Sequence, residues 1–120
     1  MPRSRTEHPL RAFACAALAL LACSACGCAQ RAAQPRSALH VVVIKQVAFQ
    51  PAELSVAPGD TVEWQNEDLV PHTSSATDST WDSGDLLPDR RWRWVAARAG
   101  TFPYACRYHT NMHGTVRVGG

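Results

Sequence analysis

The sequence predicts an all-β domain folded as a two-sheet sandwich or a small barrel. Three observations carry this. Short segments alternate apolar and polar side chains with period two, as half-buried strands do. Glycine and proline punctuate those segments at close intervals. No stretch sustains an apolar stripe at helical spacing, and there is no internal repeat. A chain of 120 residues has room for one such domain and a tail.

The strands can be read in order. "HVVVIK", from His40, is rich in β-branched residues and opens the domain. "ELSVAPGDTVEWQN" puts Leu54 and Val56 on one face and turns at Pro58-Gly59-Asp60. It then sets Val62 and Trp64 on one face and Glu63 and Gln65 on the other. "RRWRWVA" turns Trp92 and Trp94 inward and Arg91 and Arg93 to water. "GTFPYAC" brings Phe102, Tyr104 and Cys106 into one phase, while Pro103, which has no N–H, predicts an edge or a bulge there. "GTVRVGG" closes the domain with Val116 and Val118. In so small a domain, aromatic residues such as Trp64, Trp92 and Trp94 supply much of the core.

The N-terminal segment is of another kind. "MPRSRTEHPLR" carries three arginines, and the uncharged run Ala12 to Ala22 is too short for a stable membrane-spanning helix. A basic start before a short apolar run is the pattern of a secretory signal. "LLAC", Leu20 to Cys23, resembles the lipobox of bacterial lipoproteins, which predicts lipid attachment at Cys23; ordinary cleavage after Ala29 is the competing reading. The expected organisation is a signal over 1–22, a tether over 23–37 and a folded domain over 38–120. Cys26 and Cys28 lie in the tether and are free to pair, be modified or stay reduced.

Without residues 1–22, the chain's 12 basic and 10 acidic residues become equal in number. The expected mature protein is formally neutral, which removes the electrostatic case for nucleic-acid binding. Export implies an oxidising compartment, yet the folded region holds one cysteine and cannot be a disulfide scaffold.

That cysteine sits in "YACRYHTNMHG", with Cys106, His109 and Met112 at intervals of three. The strand phase points Cys106 inward at the strand's end. The chain then loops through His109 and Met112 and returns as Thr115–Val118, with Gly114 free to take the turn. A thiolate, an imidazole and a thioether suit copper, particularly a couple that holds both Cu(I) and Cu(II). Structural zinc sites rarely use methionine, and magnesium and calcium want oxygen ligands. A His₂Cys plane needs one more nitrogen. The candidates are His40, His72 and His113. His72 is the best placed, because its polar loop "NEDLVPHTSS" directly follows the strand ending at Asn66 and can reach the 106–112 loop; His40 and His113 read as surface residues.

With these residues in view, "FQPAELSVAPGDTVEWQNEDLVPHT", "WDSGDLLP" and "GTFPYACRYHTNMHGTVRV" resemble the cupredoxin, or type I blue copper, family across nearly all of residues 41–118. The short C-x-x-H-x-x-M loop is most similar to amicyanin-like members of the plastocyanin/azurin group. The resemblance implies a Greek-key sandwich and copper ligation by His72 Nδ1, Cys106 Sγ and His109 Nδ1, with Met112 as the long axial ligand. It also implies one-electron exchange with a redox donor and acceptor through the exposed edge of His109. Two positions depart from the pattern. Thr73 stands where relatives often have asparagine, and Arg107-Tyr108 stand where they often have a proline before the second histidine.

The function expected is that of an exported one-electron carrier. It sits on the periplasmic face of a bacterial membrane as a lipoprotein, or is soluble in the periplasm. A copper-trafficking or copper-tolerance module is the alternative, favoured only by Cys26 and Cys28. An enzyme is disfavoured: a Cys–His nucleophile would leave Met112 idle, and no oxyanion-hole or acid motif accompanies it. Leu69, Val70, Pro71 and Tyr108 suggest an apolar collar for a partner. The acidic run Asp82, Asp85, Asp89 and the arginines after it read as solvated faces.

Overall fold

The structure is a computed structural model that describes residues 34–119. The signal and lipid-attachment readings, with Cys23, Cys26 and Cys28, lie outside the described residues. Eight strands succeed one another: β1 (Leu39–Lys45), β2 (Ala48–Gln50), β3 (Glu53–Val56), β4 (Thr61–Asn66), β5 (Ser75–Ala76), β6 (Arg91–Val95), β7 (Gly100–Ala105) and β8 (His113–Val118). They form two four-stranded sheets, ordered β2-β1-β4-β6 and β3-β8-β7-β5. β1 and β4 are parallel, as are β3 and β8, and the other pairs are antiparallel. The expected Greek-key sandwich is what the chain forms, with no helix among the described residues.

Period two decides which side chains meet. Val42, Ile44, Val62 and Trp64 from one sheet face Val56, Phe102, Tyr104, Val116 and Val118 from the other, all buried. Trp92 and Trp94 point inward from β6 but stay half-buried, because β6 is the edge of its sheet. Trp81 is a core residue that no alternation announces: it lies outside every strand and is 4% exposed. On the outer face, Glu63 is buried against expectation. Arg93 donates to its carboxylate at 2.5 Å and Gln65 Nε2 at 2.6 Å, so Arg91 and Arg93 shield it as well as meeting water. Those hydrogen bonds, first Gln65 and then Arg93, hold its carboxyl below the ordinary value.

Pro103 explains why β5 is only two residues long. Ser75 and Ala76 pair with Ala105 and Tyr104. Thr77 N–H then donates to Pro103 O at 3.0 Å, but the reciprocal bond would need an N–H that proline lacks. The ladder stops there, which is the edge the sequence anticipates. Gly114 corrects an expectation. It is not a turn residue but lies within β8, opposite Tyr104, and a Cβ there would overlap the Tyr104 phenol ring.

Candidate metal centre

The expected ligand residues come from two loops at one end of the sandwich. β4 ends at Asn66, and its side chain organises the loop that follows. Nδ2 donates to Val70 O at 2.9 Å and Leu86 O at 2.8 Å, while Oδ1 accepts the Asp68 N–H at 2.9 Å. That folding, with backbone pairing of His72 to Leu86, turns the His72 imidazole into the interior, where it is fully buried. From the other sheet, β7 delivers Cys106 in phase with Phe102 and Tyr104, 5% exposed. The loop after it closes on itself: Met112 N–H donates to His109 O at 3.0 Å and Cys106 N–H to Met112 O at 3.1 Å.

Cys106 Sγ stands 3.9 Å from His72 Nδ1 and 3.5 Å from His109 Nδ1, and the three donor atoms lie within 4.8 Å of one another. A first-row ion about 2.3 Å from sulfur and about 2.0 Å from nitrogen, with about 120° between the bonds, holds the two atoms about 3.7 Å apart. The observed separations bracket that figure. Met112, 1% exposed, is buried at the loop's end. The donor set therefore fits a soft-to-intermediate ion that tolerates thiolate, imidazole and thioether together. His40 and His113 take no part. His40 Nε2 bonds Asp60 Oδ2 at 2.8 Å, and exposed His113 bonds Thr110 O at 2.7 Å.

The surroundings fix protons and orientation. His72 Nε2 lies 2.8 Å from Asp68 Oδ2, so the ring N–H faces a carboxylate and Nδ1 keeps its lone pair for the thiol side. Thr73 N–H points at Cys106 Sγ from 3.4 Å, and the Thr73 hydroxyl accepts the Arg107 N–H at 2.9 Å. Thr73 thus uses backbone and side chain to tie the two ligand loops together. His109 is the one half-exposed member of the group, in a shallow hollow of about 340 Å³ lined by Val70, Pro71, Asp85 and Tyr108. Sequence reasoning missed Asp68. The signal was a carboxylate four residues before the histidine, which identifies a partner only once the loop's path is known.

Two sheets in this strand order, with a His/Cys/His cluster at one end, define the cupredoxin class, and the chain belongs to it: residues 13–118 match the cupredoxin-like domain family. Within that family it is similar to amicyanin of Paracoccus denitrificans, 30% identical over 92 residues, which covers 72% of this chain and 70% of the relative. Solved structures agree. A mutant amicyanin in its Cu(I) form superposes with a TM-score of 0.64 at 27% identity, covering 68% of this chain and 82% of that one. An oxidised mutant of amicyanin gives 0.64 at 28% identity, with the same coverage.

Proposed function

We propose that the protein is an exported type I copper protein that carries single electrons between redox partners. Its domain spans residues 38–120, behind a lipoprotein-type signal (1–22) and a tether (23–37). His72, Cys106, His109 and Met112 would hold the ion, the histidines through imidazole nitrogen, Cys106 through its thiolate and Met112 through its thioether. Bound copper supplies a one-electron couple in a protein-fixed coordination shell. The observation that carries the reading is the buried Cys106 sulfur, set between two Nδ1 atoms and receiving the Thr73 N–H. Amicyanin, solved in Cu(I) and oxidised forms, supports a copper that changes oxidation state.

The chain's residues divide the work. Asp68 and Thr73 hold two ligands in place without a metal, which limits rearrangement between oxidation states. The buried shell excludes water from Cys106, while His109 reaches the surface among Val70, Pro71 and Tyr108, where a donor or acceptor can approach. Burial of Cys106 and Met112 favours retention of the ion over its handover to another protein.

Copper loading tests the assignment. The purified protein with Cu(II) is expected to turn intensely blue from thiolate-to-copper charge transfer. Cys106→Ser abolishes the colour, whereas Met112→Leu keeps it and raises the potential. A pale complex sinks the type I reading. Cys23→Ala is expected to move the protein from the membrane fraction to the soluble one; an unchanged distribution favours cleavage after Ala29.

A further inference from the structure

All four tryptophans of the chain stand in one connected group. Trp64 and Trp81 have ring centroids 5.4 Å apart, Trp64 and Trp92 5.7 Å, and Trp81 and Trp94 4.3 Å. Tyr104 joins them at 5.4 Å from Trp64 and 5.7 Å from Trp81. The group has two ends. Trp92 and Trp94 are half-buried on β6, the edge strand of their sheet. At the other end, Trp81 Nε1 donates to Ser74 Oγ at 3.0 Å, and Ser74 follows Thr73, whose N–H points at Cys106 Sγ. Tyr104, on β7, is two residues before Cys106, which directly follows that strand. The rings therefore connect the sheet edge to the thiol by contact, two hydrogen bonds and a few covalent bonds.

We propose that these indoles form a second electron route, separate from His109, through which the reduced site neutralises strong one-electron oxidants of the oxygen-radical class striking the β6 edge. The inference rests on the copper reading above. Close packing alone would explain buried rings. It does not require four indoles in contact from a half-exposed edge to a hydrogen bond beside the thiol. Electron tunnelling weakens exponentially with distance, so neighbouring rings at these spacings exchange an electron far faster than a single long jump.

The electron balance is simple. The oxidant takes one electron from Trp92 or Trp94 and leaves reduced by one electron. The resulting indole radical cation is refilled from Trp64 or Trp81, and the reduced site supplies that electron at the Cys106 end. An oxidised indole is a much stronger oxidant than a copper–thiolate centre poised for exchange between proteins, so the transfer runs downhill. No bond forms or breaks. At Trp64 proton loss, which would trap the radical, is disfavoured, because its buried Nε1 has no hydrogen-bond partner among the described residues. The ordinary donor then restores the reduced state.

The test compares Cu(I)-loaded protein with the redox-inert Zn(II)-loaded form. Flash-generated tris(bipyridine)ruthenium(III) serves as oxidant. Transient absorption follows the indole radical, and peptide mapping follows permanent oxidation of Trp92 and Trp94. Both the radical's lifetime and the oxidation are expected to fall several-fold with Cu(I), and Trp81→Phe to return both to the Zn(II) values. Should Trp81→Phe fail to fold, Trp92→Phe/Trp94→Phe leaves the buried rings in place and is expected to remove the radical that Cu(I) quenches. Equal lifetimes and oxidation in the Cu(I) and Zn(II) forms, or quenching that survives these variants, overturns the relay. Loss of the blue Cu(II) colour would instead overturn the site reading, and the relay with it.

Discussion

Asp68 Oδ2 lies 2.8 Å from Nε2 of the fully buried His72, and the same carboxylate takes the backbone N–H groups of Gln46 at 2.7 Å and Val47 at 2.9 Å. Gln46 and Val47 both have positive φ, 53° and 55°, as the tight turn between β1 and β2 requires. Neither is glycine or asparagine, and a β-branched residue is especially costly there. One side chain therefore stabilises a strained hairpin and orients a ligand candidate. Burial is the strongest single influence on its carboxyl and pushes the pKa up. The Val47 and Gln46 N–H groups and His72 together outweigh burial and hold it below the ordinary value.

Replacing that carboxylate should therefore have two effects. Asp68→Asn keeps the shape but weakens the hold on the His72 N–H. Copper affinity should drop by about 10- to 100-fold, as for other partners of ligand histidines. Thermal stability of the metal-free protein should drop too, because the 46–47 turn loses a charged acceptor. Copper titration and a melting curve separate these. An unchanged affinity would show that Asp68 serves the hairpin alone.

Gly114 gives a steric prediction. Gly114→Ala drives a methyl into the Tyr104 ring, which is packed against Phe49, Trp64 and Trp81 and cannot easily retreat. A loss of roughly 1–3 kcal/mol is expected from overpacking of this kind. Chemical denaturation measures it, and a neutral result would mean that the ring swings aside. Burial has already pushed the Tyr104 phenol up to about 12, so its ionisation plays no part near neutral pH.

How far the sequence could be read follows from what each residue depends on. The inward aim of Cys106 is legible because strand phase is a local property, carried from Phe102 through Tyr104. The position of His72 beside the 106–112 loop is legible because its own loop directly follows a strand. Trp81, Asp68 and the burial of Glu63 are not. Trp81 lies in an irregular loop with no periodicity to place it. Asp68 meets a hairpin more than twenty positions away in sequence. Glu63 is covered by its strand neighbour Gln65 and by arginines arriving on β6, about thirty positions away. Gly114 is misread because a glycine's turn propensity looks the same in sequence as a glycine cleared for a neighbouring ring.

At the other end of the sheet, Asp60 sets part of the acid stability. It accepts N–H groups from Ala38 at 2.8 Å and Ala57 at 3.0 Å, and lies 2.8 Å from His40 Nε2. These bonds, Ala38's first, lower its pKa from 3.8 to about 2. A carboxyl depressed on folding binds fewer protons in the native state than in the unfolded one. Its contribution is thus complete above the ordinary value and is lost as pH falls from near 3.8 towards 2. Asp60→Asn should flatten that part of the stability–pH curve. An identical acid limb in the variant would move the effect to other carboxylates.

The last prediction concerns Arg107 and Tyr108, which occupy the place where a proline is common in the family resembled. Arg107 forks onto Asp82 at 3.0 and 3.2 Å, and Tyr108 donates its hydroxyl to Asp85, whose carboxylate raises the phenol's pKa. Asp82 also accepts Ser75 Oγ at 3.2 Å and Gly84 N–H at 2.9 Å, so the 82–85 loop is itself braced. Side-chain pins thus do for this loop what a fixed proline φ would do for another. Because the Arg107–Asp82 pair is half-exposed, Asp82→Ala should change global stability by less than about 1 kcal/mol. Amide exchange over residues 107–111 should nevertheless quicken several-fold, with the β7 and β8 amides unaffected, and Tyr108→Phe should add to it. Unchanged exchange in the double variant would mean that the Thr73–Arg107 hydrogen bond alone holds the loop.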